Sequence, residues 1–292
     1  MPETALARDV NAWFRENARD LPWRRDGFGS WGILVSEFML QQTPVVRVIP
    51  RLEEWLVRWP TPAALGSTPA SEAVRAWGRL GYPRRALNLH ACAVAITERH
   101  GGEVPEDVDA LLDLPGVGPY TARAVAAFAF GHRHPVVDVN VRRVLARAVA
   151  GQGDPGPART AVDLAAMEAQ LPADVAEARV FNAGTMETRR GRLHGTGAPL
   201  RGVPDPGPVR VAGGRVPGVR RTGARSAEEV RGIRQAGARP PARRAAVEPL
   251  PVSAADLATA WPEPVQRDRA LAGLVADGLA VVQPDGTYAL PS

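Results

Sequence analysis

Leu6, Val10, Trp13 and Phe14 place one apolar stripe along residues 5–19, and that spacing predicts an amphipathic helix. The stretch LPWRRDGFGSW then breaks the period with proline and glycine. Helical patterns return at 31–42, 44–58, 70–79, 84–99 and 107–112, with Pro60 closing the second of these. After a turn at LPGVG, 114–118, they resume at 119–130, 138–150, 160–171 and 174–185. β-branched alternation is nearly absent, so the first 187 residues predict an all-α fold. Residues 1–29 are expected to pack with a second helical lobe at 136–187, beside a six-helix core at 30–135. From Thr188 to about Ala246 the period disappears. It returns after Val247, where SAADLATAW and PVQRDRALAGLVADGL predict two helices and AVVQPDGTYAL a hairpin with Asp-Gly in its turn. Helix, helix and hairpin predict a small winged-helix-like module at 247–292.

Composition narrows the class. At 292 residues and 45% hydrophobic content the chain can bury a sizeable core. No apolar run reaches the roughly 18 residues of a membrane span, and the N-terminus lacks a secretory apolar stretch. The expectation is a cytoplasmic chain with no membrane partner. Cys92 is the only cysteine, which excludes an internal disulfide and predicts a buried thiol. All 36 basic residues are arginine. Residues 188–246 hold fourteen of them against Asp205, Glu228 and Glu229, so the high pI of 10.4 belongs to one window and the rest of the chain is acidic.

Candidate chemistry concentrates in LPGVGPYTARAVAAFAFGHRHPVVDVNVRRVLAR, 114–147. Gly116 and Gly118, on either side of Val117, are expected to permit positive φ and to bare backbone N–H groups where a helix starts, a place for a phosphate. At a fixed distance beyond, VVDVN puts Asp138 and Asn140 at the entrance of the next helix, where Asp138 also suits an N-cap. His132 and His134, just before Pro135, are too loosely placed for metal ligands.

This turn, loop and aspartate resemble the endonuclease III superfamily of helix–hairpin–helix DNA glycosylases. VSEFMLQQTPV (35–45) and WGRLGYPRRALNLH (77–90) resemble its MutY-type adenine DNA glycosylases. The resemblance covers residues 5–187. It implies two helical lobes flanking a cleft, and base excision of adenine mispaired with 8-oxoguanine or guanine in double-stranded DNA by a nucleoid-associated monomer. Bifunctional members carry a Schiff-base lysine where this chain has Tyr120, so the resemblance implies a monofunctional hydrolase. Adenine is a poor leaving group, and Glu37, among apolar neighbours that raise its pKa, is the implied donor to its ring nitrogen. Asp138 is implied to steady or trap the sugar cation, with Tyr120 and Asn140 orienting the site and the attacking water. Gln42 and Tyr82 match positions that wedge into the base stack, with Thr43 and Leu80 beside them. Arg84 and Arg85 follow, placed to meet phosphates, and Arg24 and Arg25 are weaker candidates. A thymine or uracil mismatch glycosylase of the same superfamily is the alternative within the class; a non-catalytic DNA-binding protein, or the inert product of a damaged gene, is the alternative outside it.

The family continues past FNAGTME into four cysteines, spaced C-x6-C-x2-C-x5-C, that hold a [4Fe–4S] cluster. Here they are missing. With GC-rich codons, a Leu or Val codon ending in TG before a codon beginning with C hides a cysteine one base out of phase. Leu193, Leu200, Val203 and Val209 are each followed by His, Arg or Pro, and their separations reproduce the family spacing. Residues 188–246 therefore read as translated out of frame, with a compensating shift before VEPLPVSAADL; the alternative is a genuine Arg/Gly/Pro linker that binds DNA through charge. As written, the chain is expected to bind no cluster, and this window is expected to lack a packed structure.

Overall fold

The computed structural model describes residues 3–188 and 251–291. The window with the hidden codon positions at Leu193, Leu200, Val203 and Val209 lies outside the described residues.

Eleven helices precede that window: α1 (Ala5–Asn17), α2 (Ser30–Leu40), α3 (Val45–Arg58), α4 (Pro62–Gly66), α5 (Ala70–Trp77), α6 (Arg84–Arg99), α7 (Val108–Leu112), α8 (Pro119–Ala129), α9 (Val139–Ala148), α10 (Thr160–Glu168) and α11 (Val175–Glu187). Two follow it, α12 (Ala254–Ala260) and α13 (Pro264–Ala276), with an antiparallel pair of β1 (Val281–Val282) and β2 (Tyr288–Ala289). The fold is all-α, as its patterning predicts. Helix α4 is the element the patterning omits. It is five residues long, too short to show a period, and is set instead by Thr61 accepting from the Ala64 N–H and by Pro62 at its first turn.

Two main apolar cores form among the described residues before that window, with a small third cluster of Ala124, Ala127 and Val136. The larger joins α2 to α8 through Phe38, Leu52, Leu89, Ile96 and Val125, with Trp55 edge-on to both Trp59 and Trp77 at 4.6 and 5.7 Å. The smaller joins α1 to α9, α10 and α11 through Val10, Leu145, Met167 and Phe181. Its closest approach is at Gly184, where an added Cβ would lie 2.6 Å from Val10 Cγ1. Glycine is therefore what lets α1 and α11 meet. Glu177 fixes their register by accepting from Asn11 Nδ2 at 2.8 Å and pairing with Arg15.

In the C-terminal segment, Ser253 and Asp256 cap α12 reciprocally, and Val252 bridges to Tyr288. Only Leu279 among its described hydrophobic residues is buried. Arg84 pairs with Asp277 at 3.2 Å, and the Ser71 N–H donates to the Pro291 carbonyl at 3.1 Å, so the segment rests against α5 and α6.

Candidate active site

Residues 31–39 of α2 are all buried, as expected of a helix apolar around its whole circumference. Glu37 is carried in the middle of that run and is 6% exposed. Burial pushes its carboxyl from 4.5 up to about 7; the neighbouring Asp138 adds to the rise and the Tyr120 hydroxyl opposes it. Burial, with Glu37 and Asp138 close by, likewise holds the Tyr120 phenol well above its ordinary range. Tyr120 therefore stays protonated at any working pH and is a donor toward Glu37.

Asp138 arrives from another direction. Its Oδ1 accepts from the N–H groups of Asn140 and Val141, both at 2.8 Å, and its Oδ2 from Asn140 Nδ2 at 2.6 Å. It is both the N-cap of α9 and a group facing the cleft; the two readings of its sequence position are compatible. The loop before it is fixed by Asn182, 1% exposed on α11, whose Oδ1 accepts from the Val136 N–H at 3.1 Å and whose Nδ2 donates to the His134 carbonyl at 3.0 Å. Nothing local in the sequence marks Asn182, since its partners lie 46 and 48 residues away.

Glu37, Tyr120, Asp138 and Asn140 line one cavity of about 750 Å³, within the range of small-ligand sites. Of its other wall, the sequence marks only Arg24. Arg19 and Arg24 both pair with Glu187, the last residue of α11, and Trp23 lies beside them. Burial lowers the Arg24 pKa, opposed by Glu187, and its guanidinium sits 4.8 Å over the Phe14 ring. The signal in LPWRR is a charged pair next to tryptophan; Glu187 gave none, being 163 residues from Arg24. Arg25 turns outward to Asp20 instead.

Of the expected DNA-contacting residues only Thr43 and the weaker candidate Arg24 line this cavity. Gln42 and Tyr82 are exposed, Tyr82 by 64%, and each has positive φ, 53° and 49°. Thr43 and Leu80 are buried beneath them. In the hairpin, Gly116 has φ 76° and an added Cβ would meet Asn88 Cβ at 2.6 Å. Gly118 departs from expectation: its φ of −97° is extended, and any residue adopts it. Val117 is buried in the larger core. Arg85 also requires correction. It is 8% exposed, and its guanidinium is engaged by carbonyl groups, so it is not open to phosphate. Arg84 remains at the surface, paired with Asp277.

A [4Fe–4S] cluster does not fit the donors present. It takes four thiolates, and this chain has Cys92 alone, buried in α6 with its thiol pushed up to about 12. Among the described residues no three His, Cys, Asp or Glu side chains cluster as metal ligands, and His132 and His134 stand 6.2 Å apart, ring to ring. No described helix is long and apolar enough to cross a membrane.

Residues 35–168 match the family described as HhH-GPD superfamily base excision DNA repair protein. The adenine DNA glycosylase of Mycolicibacterium smegmatis is 46% identical, over 97% of this chain and 94% of its own. That of Mycobacterium tuberculosis is 42% identical, over 96% and 91%. A solved thermostable thymine-DNA glycosylase superposes with TM-score 0.57 at 29% identity, covering 63% of this chain and 84% of its own. Identity sustained along almost the whole length of both mycobacterial proteins shows that the chain belongs to the adenine DNA glycosylases of the HhH-GPD superfamily.

Proposed function

We propose that the chain hydrolyses the bond between adenine and deoxyribose in double-stranded DNA where adenine faces 8-oxoguanine or guanine. The observation that carries this is one cavity holding two carboxylates of different character: Glu37, raised by burial to about 7, and Asp138, half-exposed and oriented by three donors. Such a pair sets a buried proton donor beside an oriented carboxyl group, as the chemistry of glycosidic bonds requires. The base must first leave the stack, and Gln42 and Tyr82 project where side chains could replace it. In the cavity, Glu37 donates its proton to a ring nitrogen of adenine. The C1′–N9 bond breaks, its electron pair leaves with the base, and Asp138 faces the developing cation. Water then adds to C1′ and its proton returns to Glu37, with Tyr120 and Asn140 ordering the site. No lysine exists to form a Schiff base, so the strand stays intact.

The likeness to a thymine-DNA glycosylase supports a second reading, excision of thymine from mismatches with guanine. Glu37 favours the purine, because adenine offers a basic ring nitrogen to a buried acid. Duplexes containing A:8-oxoguanine, A:G and T:G, followed by chromatography of the released base, separate the readings. Free adenine, with strand breakage only after alkali, is expected; free thymine, or no base at all, contradicts the proposal.

A further inference from the structure

Among the described residues only Gln42 and Tyr82 are non-glycine residues with positive φ. Such backbone is strained and persists only where surrounding contacts over-determine it. The contacts that do so converge on Arg85. Its Nη1 donates to the carbonyls of Phe38 at 3.0 Å, Met39 at 3.3 Å and Gln41; its Nη2 donates to Thr43 Oγ1 at 3.1 Å and the Gly81 carbonyl at 2.8 Å. These bonds hold the chain on both sides of Gln42 and directly before Tyr82. Trp77 Nε1 adds a second donor to Gly81, at 3.0 Å, and the guanidinium lies 5.3 Å from the Trp77 ring and 5.5 Å from that of Tyr82.

We propose that Arg85 is a positioning residue for base extrusion, its guanidinium clamping the Gln42 turn and the Tyr82 turn into one rigid wedge seated on the end of the helix that carries Glu37. The inference rests on the proposed excision function. A cation at the C-terminus of α2 is favoured by the carbonyl dipoles there, and no carboxylate pairs with Arg85 among the described residues. Its partners are the backbone of the two turns, while the side chains of Gln42 and Tyr82 are left facing outward. A planar five-donor fork can bridge two turns at once; a single ammonium cannot reach all five acceptors. A wedge that enters a base stack meets resistance, and turns free to relax would yield to it.

The test uses the full chain with R85K and R85M, each followed by its thermal midpoint. Single-turnover adenine release is compared on a fully stacked A:8-oxoguanine duplex and on one whose adenine is already unstacked in a single-nucleotide bulge. We expect a loss of about tenfold or more on the stacked duplex and less than about threefold on the bulge, in both variants, as the clamp acts before the chemical step. An equal loss on both substrates, or no loss on either, overturns the proposal whatever the thermal midpoint. Should the unsubstituted chain release no adenine from either substrate, the excision reading itself fails and takes the clamp with it.

Discussion

The carboxyl group of Glu37 sets the pH behaviour of both stability and catalysis. Its ordinary value is 4.5 and its folded value about 7, so between these pH values the folded chain keeps a proton that the unfolded chain has lost. Stability from this group therefore falls as pH rises through that interval and stays low above it, by up to about 3 kcal/mol. Denaturant titrations should show E37Q gaining on the unsubstituted chain between pH 5 and pH 8; parallel stability curves would mean that the carboxyl is not held as described. Asp138 permits a cleaner separation. Asparagine caps a helix as well as aspartate does, so D138N should change the unfolding free energy by less than about 0.5 kcal/mol while slowing adenine release about 100-fold or more. A slow but equally destabilised variant would make Asp138 a structural cap alone. Both carboxylates were legible in the sequence because they sit in fixed local motifs. Arg85 reads as a phosphate contact in the sequence because it follows Tyr82 directly beside Arg84, whereas its partners lie 42 to 47 residues away, apart from Gly81.

Helix periods were legible for the same local reason: α6 spans 84–99 as its pattern predicts, and α2, α3 and α11 differ only at their ends. What periodicity does not give is how helices approach each other. Glycine in FNAGTME looks like an ordinary helical defect until α11 is laid against α1, where Gly184 leaves no room for a side chain against Val10. G184V should therefore destabilise the protein by about 1–3 kcal/mol through overpacking, read by denaturant unfolding. Unchanged stability would show that the two helices are not in the close contact described. Asn182 and Glu187 belong to the same lesson: α11 carries one residue that holds the Asp138 loop and one that closes the opposite wall, and both acquire meaning only once the helices are packed.

For the molecule as a whole, two cores support one cleft, with Glu37 and Tyr120 borne on helices of the larger core, α2 and α8, and Asp138 capping α9 of the smaller. The cluster expected of the family has no thiolate set in this chain, so protein purified from iron-replete cells should contain less than one iron per chain; four irons with matching sulfide would show that the 188–246 window is not made as written. The account turns on a buried acid giving its proton to a displaced base, and the pH dependence of single-turnover adenine release from an A:8-oxoguanine duplex tests that most directly. The rate should be highest at low pH and fall tenfold per pH unit above about 7, as Glu37 loses its proton. A rate that stays level across that range, or one that survives in E37Q, would contradict it.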